Sequence, residues 1–327
     1  MRAIVFDTYG EPKSVLTVRD VPTPEPSPGQ VLVKMDAAPI NPSDIVFVEG
    51  GYGFRKPVPC VPGFEGAGTV VAANAGVYGR WLMGKRVAVS PPQDGQGTWA
   101  EYMVCGAFTC APLRRGISPD FGAMLLVNPV TVVSLVAMAK KRGAGAFIQT
   151  AAGSALGRMV ARWAGHEGVT PIHVVRSETG AAVLRDAGEM HVLASTAPGF
   201  IDELKALAHR LKATIAFDAV GGAITAQLAS AMPSGGRVVV YGGLSGENAQ
   251  LDVAEAIFRD KGIEGFWLPI EIKRIGPLGL LSRVRTVQRM GEAMFGAPVL
   301  ARLRYEQIGE ALALQPRGSE GKVLLVP

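Results

Sequence analysis

Gln149-Thr-Ala-Ala-Gly-Ser-Ala-Leu-Gly157 starts at the end of a short apolar run, Ala146 to Thr150. It leads into Leu156, Val160, Trp163 and Ala164, whose i, i+4, i+7, i+8 spacing is one face of a helix. A strand, a turn of small residues and a helix in that order let backbone approach a phosphate. The helix N-terminus adds free amide donors and the positive end of its dipole. The Gly-x-Gly-x-x-Gly pattern of dinucleotide sites reads here Ala152-x-Ser154-x-x-Gly157, so only the third glycine is kept. Ala155 and Leu156 open the helix and would turn their amides to the ligand.

Working outward, strand-like runs at Ile172 to Val175, His191 to Leu193, Thr214 to Asp218 and Arg237 to Tyr241 alternate with helical stretches. The latter are Gly180 to Ala187, Phe200 to Leu211 and Ala223 to Met232. Continuous apolar strands between helices predict a parallel sheet covered on both faces, five strands in all. The second strand ends Val174-Val-Arg176-Ser177. An acid there would bond a ribose 2′-hydroxyl; Arg176 suits a 2′-phosphate, with Ser177 as a neutral donor. That points to NADPH, against the alternative of a solvated surface arginine. Asp218-Ala-Val-Gly221-Gly222 and Tyr241-Gly242-Gly243 put glycines after two more strands. They read as walls of the same crevice or as ordinary tight turns.

Before about residue 120 the pattern differs. Arg2 to Phe6, Val31 to Asp36, Gly68 to Ala72 and Arg86 to Ser90 are short strand-like runs between turn signals, the pattern of an irregular β-barrel. The expected division is 1–120, completed by 266–327, and 121–265. With 41 glycines and 23 prolines in 327 residues, long helical bundles are excluded. The 48% apolar and 19% charged content excludes a disordered chain. A net charge of +5 permits anionic ligands without requiring nucleic acid. Three cysteines without a Cys-x-x-Cys pair fit a reducing, cytoplasmic setting. Phe121 to Ala139 holds no charge, but Asn128-Pro129 at its centre argues for a buried loop and a core helix, not a membrane span.

The order of these parts, with Asn41-Pro-Ser-Asp44, Pro62-Gly-Phe-Glu-Gly-Ala-Gly68 and the closing Gly321-Lys322-Val-Leu-Leu-Val-Pro327, resembles the medium-chain dehydrogenase/reductase superfamily. The resemblance implies an α/β chain: a GroES-like β-barrel catalytic domain plus a Rossmann doubly wound parallel sheet. Zinc alcohol dehydrogenases of that superfamily bind metal through Cys or His. Here Asn41 and Phe64 stand at two of those places, and no cysteine lies near Asn128. Phenylalanine cannot ligate zinc and asparagine is a poor ligand, so no metal is expected. The four histidines, His166, His173, His191 and His209, all lie in the nucleotide half and read as core or surface residues.

Within the zinc-free branch, Asn41-Pro-Ser-Asp-Ile-Val-Phe-Val-Glu-Gly-Gly-Tyr-Gly53 looks like the matching stretch of mitochondrial-type 2-enoyl thioester reductases. Asn128-Pro129 and Gly265-Phe266-Trp267-Leu268 are further echoes. Val46 departs from the asparagine usual there. The resemblance implies Tyr52 as proton donor, with a rim aromatic that shapes the pocket as the alternative, and places Asn128 and Lys322 beside the cofactor. Asn41 reads as an orienting amide or as a turn residue before Pro42, and Phe266 and Trp267 as walls of an acyl pocket or as core packing. Quinone oxidoreductases carry a tyrosine there too, so a quinone reductase is the alternative. The implied partners are a small-molecule substrate and a second copy, joined through edge strands near Ile263 to Leu268. No membrane partner is expected and nucleic acid is disfavoured. The acid-free segment Ile272 to Met290, with Lys273, Arg274, Arg283, Arg285 and Arg289, leaves a non-catalytic NADPH- or RNA-binding protein as the reading from another class.

Overall fold

The computed structural model describes residues 1–315 and 321–327. Its contacts separate two units, Met1–Val130 with Val284–Pro327, and Thr131–Arg283. Both boundaries fall inside helices, Val127–Lys141 and Leu268–Phe295. A helix that runs through a boundary leaves no shift of composition to mark it, which is why the sequence pattern puts the limits earlier, at 120 and 265.

In chain order the strands are β1 (Arg2–Val5), β2 (Thr17–Asp20), β3 (Gln30–Pro39), β4 (Gly66–Asn74), β5 (Arg86–Val89), β6 (Tyr102–Gly106) and β7 (Ala111–Pro112). Then come β8 (Ala146–Gln149), β9 (Thr170–Val175), β10 (Val192–Ala194), β11 (Ile215–Asp218), β12 (Arg237–Val240) and β13 (Gly262–Gly265). β14 (Val299–Arg304) and β15 (Lys322–Val326) close the chain.

In the Thr131–Arg283 unit, six strands form a sheet in the order β10-β9-β8-β11-β12-β13, every neighbour parallel. The first strand, β8, is central. The chain runs outward from it to β10, then returns to start the other half at β11. The strand order therefore reverses between β8 and β11, where ligands bind in such sheets. All four residues of β8 and of β11 are buried, as expected of strands covered on both faces. Helix Phe200–Leu211 buries Phe200, Leu204, Leu207 and Ala208, the apolar stripe that marks it in the sequence. The sixth strand, β13, is not among the five that periodicity gives, although the resemblance places an edge strand near Ile263. Two of its four residues are glycine and one is Glu264, so it carries little strand signal. The 28-residue helix after it was likewise not expected over its full length, since Gly276 and Pro277 interrupt its pattern.

In the other unit β1 pairs with β2, and seven strands form a second sheet: β14-β15-β3-β4-β5-β7, with β6 also on β3. The ten-residue β3 organises it. β4 and β3 approach so closely that a Cβ on Gly68 would stand 2.1 Å from the Lys34 carbonyl oxygen. The last strand, β15, lies antiparallel on β3, which returns the chain's end to its first unit. One core gathers Phe6, Ile40, Phe47, Trp99 and Tyr305; another gathers Val31, Val33, Val70, Val87 and Cys105. The uncharged stretch Phe121 to Ala139 corrects to two helices, not a loop and a helix. Ser118 caps the first, Pro119–Ala123, its Oγ accepting from Phe121 N at 3.1 Å. No helix among the described residues is long and apolar enough to cross a membrane.

Candidate functional site

The phosphate-type loop lies at the C-terminal end of β8. Ser154 caps helix Ala155–His166, its Oγ accepting from Gly157 N at 3.1 Å. The amides of Ala155 and Leu156 have no acceptor among the described residues, so two donors at a helix N-terminus remain open. Gly157 is the glycine that packing requires: a Cβ there would stand 2.6 Å from the Ala151 carbonyl oxygen. Above Gly153 there is open space, with no atom within 4 Å of a Cβ built on it. The loop is thus closed below and open above, and these residues fit a dinucleotide pyrophosphate.

Two buried side-chain groups brace the loop. Asp218 accepts from Thr150 Oγ1 (2.8 Å), Thr225 Oγ1 (2.7 Å), Val220 N (2.8 Å) and Gly221 N (3.2 Å), joining the ends of β8 and β11. Gln149 Nε2 donates to Gly157 O (3.1 Å) and to His173 Nδ1 (2.8 Å), while His173 Nε2 faces Glu189 at 2.9 Å. The His173 bond holds the Glu189 carboxyl below its usual range. His173 is a core histidine, as expected. Asp218 and Gln149 were not singled out from sequence; a polar residue ending an otherwise apolar strand run was the available signal.

Arg176 is exposed, and its guanidinium has no partner among the described residues. Ser177 caps helix Glu178–Asp186 by accepting from Gly180 N, which leaves its O–H free to donate. The nearest acid, Glu178, is paired with Arg185. At the next strand ends, Gly221 and Gly222 take positive φ of 75° and 69°. A Cβ on Gly242 would stand 2.8 Å from Ala219 O, while Gly243 is open. Tyr241 is half-buried, and burial pushes its hydroxyl up.

In the barrel unit the residues around Asn41 form a closed polar group. Asn41 Nδ2 donates to Glu65 Oε1 (3.0 Å) and Lys322 Nζ donates to Asn41 Oδ1 (2.5 Å). Glu65 Oε2 accepts from Leu126 N (3.0 Å) and Val127 N (2.9 Å). Asp44 accepts from Asn41 N (2.7 Å) and Phe64 N (2.9 Å). Asn41, Asp44, Glu65 and Lys322 are at most 4% exposed. Burial drives the Asp44 carboxyl up to about 7 and raises Glu65, while it lowers Lys322; Glu65 and Asp44 together oppose that last shift. Asn41 and Lys322, singled out from the sequence for the substrate and the cofactor, are thus both buried and hydrogen-bonded to each other. Glu65, the buried carboxylate the sequence reading passed over, is their common partner.

Zinc does not fit this group. Asn41 and Glu65 are committed to protein partners, Phe64 offers no donor, and the ammonium of Lys322 supplies the local positive charge.

Tyr52 is half-buried on an aromatic platform. Its ring lies 4.7 Å from Phe64 at 31°, with Phe54 edge-on at 5.2 Å and Phe47 at 6.4 Å. Phe64 is held in turn by Asp44 through its N–H. Asn128 is half-buried in the first turn of its helix. Phe266, 9% exposed, continues β13 with its N–H donating to Val240 O; Trp267 is half-buried. The basic segment is less basic than its composition. Arg274 and Arg283 both pair with Glu271, one residue outside the acid-free stretch, at 2.8 and 3.1 Å.

Residues 27–115 match the alcohol dehydrogenase GroES-like domain, and residues 155–275 the zinc-binding dehydrogenase family. The mitochondrial enoyl-[acyl-carrier-protein] reductase of Arabidopsis thaliana is 30% identical over 93% of this chain and 80% of its own length. The chain belongs to the medium-chain dehydrogenase/reductase superfamily. The Xenopus tropicalis enzyme of the same name is 32% identical over 82% of this chain and 77% of its own. Among solved structures, a Mesorhizobium loti protein assigned as an NADPH:quinone reductase superposes with a TM-score of 0.89. It is 32% identical and covers 100% of this chain and 98% of its own. In this member of the superfamily the name of the second family does not extend to the Asn41 group, whose donors are already spent.

The Asp44 carboxyl carries a checkable sign. Its folded pKa is raised, so the stabilisation from its neutral form is complete below the unfolded value, about 4, and is lost as pH rises through about 7. Urea unfolding of the wild type and of Asp44→Asn should therefore give a free-energy difference that shrinks over that window and levels above it. A difference that does not vary with pH would mean that folding leaves the Asp44 pKa at its unfolded value.

Proposed function

We propose that this chain is a zinc-independent, NADPH-dependent reductase of activated carbon–carbon double bonds, and that its substrate is a 2-enoyl thioester of coenzyme A or an acyl carrier protein. The observation that carries the reading is the closed Asn41–Glu65–Lys322 group. With those residues committed inside the barrel unit, hydroxyls and amides are left to do the chemistry. Relatives at 30 and 32% identity bear the name enoyl reductase, which supports the thioester as substrate.

Bound NADPH would supply the hydride that adds to the β-carbon of the substrate. The residues to hold it are Ser154 to Gly157 at the pyrophosphate and Arg176 with Ser177 at the 2′-phosphate. Gly221 and Tyr241 to Gly243 line the approach. As charge moves onto the thioester carbonyl oxygen, hydrogen-bond donors must stabilise the enolate. Tyr52 then protonates the α-carbon as general acid. Its ring is steadied by Phe64 and Phe54, and its backbone sits between Gly51 and Gly53. A quinone as acceptor is the second reading, favoured by the 32% identity to the Mesorhizobium loti protein. Both readings share the cofactor and the hydride step.

A homodimer completes the proposal. β13 ends its sheet with one edge unpaired among the described residues, and helix Val253–Arg259 beside it in sequence buries none of its residues. Val253, Ile257 and Phe258 on that helix are 67 to 81% exposed. A second copy adding its own edge strand would satisfy the backbone and cover those side chains. The three buried thiols suit a reducing compartment, and we place the protein in the cytoplasm.

Three outcomes are expected. Arg176→Ala should cut the preference for NADPH over NADH by roughly ten- to a hundredfold, since a charge-assisted contact is worth about 1.5–3 kcal/mol; an unchanged ratio of the two dissociation constants would remove Arg176 from the 2′-phosphate. Tyr52→Phe should lower kcat on crotonyl-CoA by about 10²–10⁴ while NADPH binding is kept, and undiminished turnover would move the acid elsewhere. Light scattering should give twice the 34.3 kDa chain mass, falling to one chain in Phe258→Asp.

A further inference from the structure

On the barrel unit, helix Gly76–Leu82 and the one-turn helix Ala107–Thr109 hold an aromatic ladder. Tyr78 stacks on Phe108 at 4.9 Å and 6°, and on Trp81 at 5.5 Å and 18°; Lys85 Nζ lies over the Trp81 ring at 4.4 Å. Tyr78 roots the ladder, being packed against the core of Val70, Leu82 and Cys105. The outer members project into solvent. Phe108 is 85% exposed and Trp81 53%, with the aliphatic Val77 at 74% and Met83 at 45% beside them. Four large apolar side chains within two adjoining turns are an exposed patch that asks for a partner.

The stretches that carry the patch are basic, with the exposed Glu25 the acid on the loop that bonds to Asn74 and Ala107 beside them. No acid occurs from Gly66 to Gln93 or from Tyr102 to Pro119, the stretches that carry the ladder, while Arg80 and Arg115 are exposed and Lys85 half-buried among them. The partner is therefore anionic. Two observations decide its kind. The faces of Tyr78 and Trp81 are turned to one another, to Phe108 and to Lys85, which leaves the outer face of Phe108, whereas a nucleic-acid strand stacks its successive bases on several free faces. The most exposed members, Phe108 and Val77, stand out singly, and a bilayer interface accepts projecting side chains without a matching pocket. Aromatic and aliphatic side chains ringed by cations are the pattern of interfacial anchoring.

We propose that the Phe108–Tyr78–Trp81 ladder docks the protein on the surface of a bilayer containing anionic lipid, with Phe108 and Val77 entering the headgroup boundary and Arg80 and Lys85 meeting lipid phosphates. The contact spans nothing and does not depend on the catalytic reading. Each basic residue near such a surface is worth about 1 kcal/mol and is screened by salt, so the attachment is reversible.

The test is sedimentation of the full chain with phosphatidylcholine vesicles and with vesicles that also contain phosphatidylglycerol. Binding is expected to the mixed vesicles alone, weakened by added salt. Phe108→Asp and Val77→Asp should each weaken it about tenfold, with the circular dichroism spectrum and NADPH affinity unchanged. Arg80→Glu, a change of exposed charge, should act in the same direction if either apolar variant folds poorly. No binding to the mixed vesicles, or equal binding by wild type and all three variants, would overturn the proposal. So would binding of single-stranded RNA that the same variants abolish.

Discussion

Two carboxylates and one ammonium, all buried, meet at the side chain and backbone of Asn41, and much of the barrel unit depends on their balance. Glu65 ties the loop after Pro62 to the first amides of helix Val127–Lys141; Asp44 ties helix Pro42–Val48 to Phe64; Lys322 brings in the last strand. Removing Lys322 would leave the buried Glu65 carboxylate without its cation, a cost of about 3–5 kcal/mol. Four distant stretches of chain are thereby held in register by three ionisable side chains and one amide. Phe64, fixed by this group, is also the ring on which Tyr52 rests. The arrangement that holds the fold thus also sets the position of the candidate acid.

The other unit solves a different problem, that of a helix and a strand approaching closely enough to leave a shallow cradle above them. Gly157 permits the approach, and Asp218 and Gln149 brace it from beneath through hydroxyl, amide and imidazole partners. Ala152 and Ser154 stand in the places of two glycines without closing the loop. Ala152 is turned inward and buried, and Ser154 turns its hydroxyl to capping the helix. A small side chain is tolerated wherever it has an inward space or a backbone partner, so the looser motif keeps the open shape of the stricter one. The open amides of Ala155 and Leu156 and the unpartnered Arg176 are what an anionic cofactor would complete.

Legibility in the sequence followed signal strength. Helix Phe200–Leu211 was readable to the residue because its four buried positions repeat at helical spacing. Strand β13 was not, because glycine and glutamate in a four-residue strand look like a turn. Among candidate site residues, Ser154, Gly157 and Arg176 could be singled out because they lie at fixed offsets from a strand end. Asp218, Gln149 and Glu65 were not, since their partners lie on other strands and loops. The basic run from Ile272 hides its partner in the same way: Glu271, just outside it, pairs with two of its arginines.

By itself, the sequence determined the alternation of strand and helix, the strand-end turns and the residue types that rule out zinc chemistry at Asn41 and Phe64. Periodicity and side-chain chemistry are local properties, and a chain displays them before it folds. Only the tertiary structure brought Asn41 and Lys322 together. Their separation of 281 positions hides a 2.5 Å contact, and whether an amide faces a ligand or a buried lysine depends on which segments pack around it. The same holds for Tyr78, Trp81 and Phe108, three unremarkable aromatics until two short helices stack them at the surface.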